Sequence, residues 1–86
     1  MKLIQSLDFM KVFKQIQQLQ QIHQLIISEQ TGTPKEFARK LGISPRRLYD
    51  ILDELKSRGA PIAYSRTIKS YFYNKKFQLD ISCHFL

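Results

Sequence analysis

Phe9, Val12, Phe13, Ile16, Leu19, His23, Ile26 and Ile27 recur at three- and four-residue steps through residues 8–29. That spacing is one face of an amphipathic helix, and Ile22 and Leu25 widen the stripe. Six glutamines lie between residues 15 and 24, yet the periodic apolar positions set the segment apart from low-complexity sequence. Gly32 is expected to end the helix. Roughly 20 residues is long for a helix in so small a domain. Two readings are open for its beginning. The first turns reach past the core and meet a second copy of the chain, or residues 1–14 cap the domain's own core. His23 lies on the stripe and reads as a packing histidine.

In "TGTPKEFARKLG", Thr33 stands where a helix cap belongs, Pro34 suits the first helical position, and Glu36 follows Thr33 by three residues. This is a capping box with its proline. Phe37, Ala38 and Leu41 form the inward face, and Gly42 stops the helix after two turns. A third helix begins the same way at Ser44 and Pro45. Leu48, Ile51, Leu52 and Leu55 make its inward face, and Gly59 ends it. Only "GIS" separates the two helices. Ala38 is small enough for their close approach, Gly42 permits the tight turn and Ile43 plugs the corner. Two caps, two prolines and the apolar positions 37, 41, 43, 48 and 51 agree on a helix-turn-helix.

After Gly59 the period changes to two. "PIAYSRTIKSYFYNKKFQLDI" predicts strands at 61–65, 70–73 and 77–81, with turns around Arg66–Lys69 and Asn74–Lys76. Arg66, Lys69, Lys75 and Lys76 make these turns basic. Tyr64, Tyr71, Phe72 and Tyr73 read as sheet packing rather than as a stacking platform for bases. The expected fold is mostly α with a small antiparallel sheet: a three-helix bundle with a helix-turn-helix and a C-terminal β-hairpin wing. Residues 1–86 are expected to form one domain, with the first helix in 1–30, the helix-turn-helix in 33–58 and the wing strands in 61–81.

An apolar fraction of 43% allows a thin core. No apolar run exceeds three residues, as in Leu25-Ile26-Ile27, so no membrane span is expected. The start "MKLIQSLDFMK" lacks the apolar stretch and small-residue cleavage site of a signal peptide. A single cysteine, Cys83, cannot form an internal disulfide, which suits a reducing, cytoplasmic compartment. Cys83 and His84 are neighbours with no second such pair, so no zinc site is expected. No nucleophile–base pair, metal cluster or glycine-rich phosphate loop is visible, so neither an enzyme nor a cofactor is expected.

The net charge of +7 is unevenly placed. Residues 1–30 carry +1 and residues 77–86 carry −1; residues 31–76 carry eleven Lys or Arg against Glu36, Asp50, Asp53 and Glu54, a net of +7. A basic block of this kind suits a polyanion, because cations that neutralise phosphates release condensed counterions. The bland alternative is a solvated basic surface. At 100° per residue, Arg46, Asp50 and Asp53 lie opposite the inward face of the third helix, with Tyr49 on one shoulder and Arg47 and Glu54 on the other. The carboxylates limit any groove contact to the first turn and a half. Asp50 is placed to accept from a cytosine amino group or to pair with Arg46. Glu54 with Arg58, and Asp53 with Lys56 or Ser57, are candidate surface pairs.

The stretch "TPKEFARKLGISPRRLYDILDELKSRGAPIAYSRTIKSYFY" resembles the winged helix-turn-helix domains of bacterial transcriptional regulators of the deoxyribose-operon-repressor type. The matching positions are Phe37-Ala38, Leu41-Gly42, Ser44, Arg46, Tyr49, Leu52, Leu55, Gly59, Pro61-Ile62, Tyr64 and Tyr71 to Tyr73, about half the chain. Very short free-standing versions of the domain are similar over the whole length. The resemblance implies double-stranded DNA as partner, with a recognition helix at 45–58 in the major groove. Arg46, Arg47, Tyr49 and Asp50 would meet bases or the first turn's phosphates, Thr33, Lys35 and Ser44 the backbone, and Arg66, Lys69 and Lys75 would supply the wing contacts. Two positions depart from the pattern: Arg47 stands for a threonine, and Asp50 for a basic or amide residue. The larger regulators carry a sensor domain that is not seen here, so a switch would come from a separate effector or partner protein. A homodimer through the first helix is the other expected partner. The alternative function is a protein-interaction winged helix that acts as an adaptor without DNA.

Overall fold

A computed structural model describes residues 2–77, with side chains from Met10 onward. Its elements are α1 (Lys2–Ile27), α2 (Pro34–Leu41), α3 (Pro45–Ser57), β1 (Ile62–Ser65) and β2 (Ser70–Tyr73). The strands pair antiparallel, from Ile62 opposite Tyr73 to Ser65 opposite Ser70. This is the three-helix bundle with helix-turn-helix and β-hairpin wing that the periodicities predict. Of the third strand expected at 77–81, only Phe77 is described; it is not in a strand and stands edge-on to His23. The rest lies outside the described residues.

The core is built from Ile22 and Ile26 of α1, Phe37 and Ala38 of α2, Leu48 and Leu52 of α3, and Ala60, Ile62 and Tyr71. Leu25, Leu41, Ile43, Ile51, Leu55 and Tyr64 close around it. Each fully buried Ile, Leu or Phe stabilises by about 1.5–3 kcal/mol relative to exposure. Five such side chains, Ile22, Ile26, Phe37, Leu48 and Leu52, hold the three helices together, and Ile62 and Tyr71 join the hairpin to them.

All three helices end in the same hydrogen-bond motif. At α2, Ile43 N–H reaches the carbonyl of Ala38 (3.0 Å) and Gly42 N–H that of Arg39 (3.1 Å). Gly42 takes φ 70°, while an added Cβ would meet nothing within 4 Å, so the position selects glycine for its backbone and not for space. At α3, Gly59 and Ala60 make the equivalent bonds to Lys56 and Leu55. At α1, Glu29 and Gln30 make them to Ile26 and Leu25, and Glu29 holds φ 55°.

This corrects the expected end of the first helix. The helix stops at Ile27, and Glu29 occupies the left-handed position that glycine usually fills. Gly32 serves α2 instead. It sits at φ 76°, where a Cβ would come within 2.7 Å of Glu36 Oε1. The bare glycine lets the glutamate fold back onto the Thr33 N–H.

The expected apolar stripe of α1 is also only partly the buried one. Ile22 and Ile26 face the core, whereas Val12, Phe13 and Ile27 are 36%, 42% and 51% exposed. Among the described residues, the buried positions of α1 lie in its last third.

Candidate nucleic-acid interface

The two helix starts use the same local chemistry up to one residue. At α2, Thr33 Oγ1 accepts the Glu36 N–H (3.3 Å), and Glu36 Oε1 accepts the Thr33 N–H (2.8 Å). These bonds hold the Glu36 carboxyl below its ordinary pKa. At α3, Ser44 Oγ accepts the Arg47 N–H (3.1 Å), but position N3 is Arg47 rather than a glutamate. The α3 box is half built: the cap is made and the carboxylate is replaced by a cation. The first turn of α3 has no acidic residue, and the N–H groups of Ser44 and Arg46 have no acceptor among the described residues. A helix N-terminus carries about half a positive charge, here joined by two guanidinium groups.

Arg46, Arg47, Tyr49 and Asp50 are all exposed on the start of α3, Tyr49 at 47%. Asp50 forms no ion pair with Arg46, and Asp53 none with Lys56. Of the surface pairs expected, Arg58 Nε to Glu54 Oε2 forms at 2.8 Å, and Ser57 Oγ donates to the Glu54 carbonyl rather than to Asp53. Both partners of the ion pair are well exposed, so it contributes tenths of a kcal/mol.

Tyr71 carries the hairpin into the shared core, where its ring packs against Phe37 of α2 and Tyr64 of β1. Burial, then the nearby Tyr49, Tyr64 and Asp53, push its phenol up to about 12. Tyr71 is paired with Tyr64, one step from the last strand pair Ser65–Ser70. Beyond the last pair, Arg66, Thr67, Ile68 and Lys69 form the exposed loop. Lys75 is elsewhere. It follows the hairpin's base, where Asn74 N–H binds the Pro61 carbonyl (2.9 Å), and lines a shallow groove with Ile26, Ile27, Tyr73 and Phe77. The three wing cations read from the sequence therefore divide into two at the tip and one at the opposite end.

The other two backbone candidates, Thr33 and Lys35, sit at the start of α2, Thr33 half-buried and Lys35 exposed. The Thr33 and Ser44 oxygens are used as caps, but each hydroxyl keeps its proton to donate. The side chains of Arg46, Arg47, Arg66 and Lys69 make no hydrogen bond or ion pair among the described residues. The same holds for Lys35, Arg39, Lys56, Lys75 and Lys76, whereas Lys40 Nζ donates to the Gln30 carbonyl (2.6 Å) and Arg58 has Glu54.

Two positioning residues have no sequence signal. Thr31 and Ser70 are buried, and they trade backbone bonds: Thr31 N–H donates to Ser70 Oγ (3.2 Å) and Tyr71 N–H to Thr31 Oγ1 (2.9 Å). Their hydroxyls lie 3.0 Å apart. This latch ties the α1–α2 connection to β2 and so fixes the wing against the bundle. Leaving one such buried N–H unpaired costs about 1–3 kcal/mol. His23 is the packing histidine expected, half-buried against Tyr73 and Phe77, with Nδ1 2.8 Å from the Tyr73 hydroxyl.

The class that this architecture defines is the winged helix-turn-helix. Comparison with family models, with curated proteins and with solved structures gives no match for the chain. Among the described residues no helix is long and apolar enough to cross a membrane.

Proposed function

We propose that this protein binds double-stranded DNA as a transcriptional regulator, with the start of α3 in the major groove and the hairpin tip on the flanking backbone. The observation that carries this reading is the start of α3, where Arg46 and Arg47 make no hydrogen bond or ion pair through their side chains and the N–H groups of Ser44 and Arg46 have no acceptor among the described residues. Arg46 and Arg47 meet base edges or phosphates, and Tyr49 adds a contact from the shoulder. Asp50, without an internal partner, is available to a cytosine amino group. Thr33, Lys35 and Ser44 reach the backbone of one strand, and Arg66 and Lys69 that beside the wing. Such a protein works in the cytoplasm of a bacterium. The likeness of residues 34–73 to regulators of the deoxyribose-operon-repressor type supports the same reading.

About 4–6 phosphate contacts per module give a slope of log K against log salt near −4 to −5. A titration of labelled duplex at several salt concentrations, with Arg46→Ala/Arg47→Ala beside wild type, tests this. The double variant should lose roughly two of those slope units and most of the affinity. Salt-insensitive binding, or a double variant that binds as wild type does, removes the proposal. An adaptor domain would instead hold a protein partner equally well with or without DNA.

A further inference from the structure

The hairpin loop Arg66-Thr67-Ile68-Lys69 is chemically odd for a solvated turn. It holds none of the Gly, Pro, Asn, Asp or Ser residues that favour turns. A β-branched apolar residue, Ile68, stands at its tip with 48% of its surface exposed and takes no part in the core. The next residue, Lys69, holds φ 52°, a left-handed conformation that costs an L-residue with a long side chain appreciable strain. The loop is nevertheless pinned: Ile68 N–H donates to Ser65 Oγ (3.3 Å), and Ser65 pairs with Ser70, whose hydroxyl belongs to the buried latch with Thr31. A fixed loop thus presents an apolar side chain between two unpartnered cations.

We infer that Ile68 is a wedge for the minor groove, with Arg66 and Lys69 on the phosphates to either side. This inference rests on the DNA-binding reading above and adds to it a mode of recognition. Apolar side chains inserted at a base step partly unstack it and kink the duplex towards the major groove. Pyrimidine–purine steps such as TA and CA/TG yield most easily, so the wedge selects sequence at a position that no hydrogen bond reads. An exposed isoleucine also suits this role in its rigidity, since branching at Cβ restricts its χ1.

The test uses a duplex of about 30 base pairs recovered from a random pool by the wild-type chain and labelled at both ends for energy transfer. Wild type should shorten the end-to-end distance in line with a bend of at least ~20°. Ile68→Ala should leave the duplex straight and weaken binding about tenfold, with an unchanged salt slope. Ile68→Leu should restore most of the bend. Straight DNA under tightly bound wild type, or an equal bend with Ile68→Ala, overturns the wedge and leaves the binding proposal standing. Absence of salt-dependent binding by wild type removes the underlying reading itself, and the wedge with it. Because Ile68 touches none of the core, the melting temperature of Ile68→Ala should match wild type; this keeps a loss of bend from being a loss of fold.

Discussion

Lys69 holds a backbone conformation that its residue type disfavours, in the loop proposed to meet DNA. Its φ of 52° is one that glycine adopts freely and lysine does not. Lys69→Gly should therefore stabilise the fold by about 0.5–1 kcal/mol, a rise in melting temperature of roughly 4 °C for a domain of this size. The same variant should weaken DNA binding and reduce the salt slope by about one unit. A drop in melting temperature would show that the Lys69 side chain has a structural role. His23 gives a second residue-scale expectation. Burial lowers its pKa below 6.5, and burial also pushes the Tyr73 phenol up to about 12, so the fold favours the neutral form of both partners in their 2.8 Å contact. The signs follow from which state holds more protons. For His23 the unfolded chain protonates first, so stability present above pH 6.5 falls as the pH drops through that value. For Tyr73 the unfolded chain ionises first, so stability present below pH 10 is lost between 10 and 12. Thermal melts across pH 5–8 should show the acid-side decline in wild type and a flatter profile in His23→Gln.

The two helix starts at Thr33 and Ser44 make an internal experiment at the scale of the element. Both have a hydroxyl cap and a proline, and they differ at N3, where α2 has Glu36 and α3 has Arg47. Arg47→Glu would complete the second capping box, adding an acceptor for the Ser44 N–H and an anion beside the positive helix end. Melting should show a gain of about 0.5–1 kcal/mol in stability, while a duplex titration at fixed salt should show binding reduced by tenfold or more. Equal affinity would remove Arg47 from the interface. Most of this was legible in the sequence, because caps, prolines and turn glycines act within a few residues. The two boundaries of α2 and the starts of α3 and β2 fall where local chemistry places them. Readings that depended on distant packing fared differently. Gly32 looks like a stop for α1, but Glu36 is the residue that needs its bare backbone. Lys75 looks like a wing cation because it follows a strand, yet it sits at the hairpin's base. The Thr31–Ser70 latch joins residues 39 apart, and no local pattern announces it.

For the whole molecule, the open question lies in α1. Its 26 residues make a rod of about 39 Å, and the molecule measures 50 Å along its longest axis. At 100° per residue, the exposed Val12 and Ile27 centre roughly 90° round the helix from the direction of Ile22 and Ile26. The apolar stripe is thus broader than the described core, with Val12 and Ile27 on its exposed flank. The chemistry of this flank suits a second copy of the same chain. Residues 15–28 contain no Asp, Glu, Lys or Arg in a protein of net charge +7. In a two-fold interface the same patch meets itself, so a patch of one charge sign would repel its copy; glutamines can instead exchange hydrogen bonds around an apolar centre. Pairing would also set two α3 helices at a fixed spacing for two half-sites and raise the affinity of a module that binds weakly alone. Sedimentation of the wild-type chain should give twice its 10.2 kDa mass at micromolar concentration. Val12→Glu should shift it towards monomer, weakening association by roughly tenfold or more, with helix content kept because Val12 is exposed and outside the core. On DNA the variant should protect a single half-site where wild type protects two. A wild-type chain that stays monomeric at high concentration and still protects two half-sites would assign the pairing to the DNA rather than to α1.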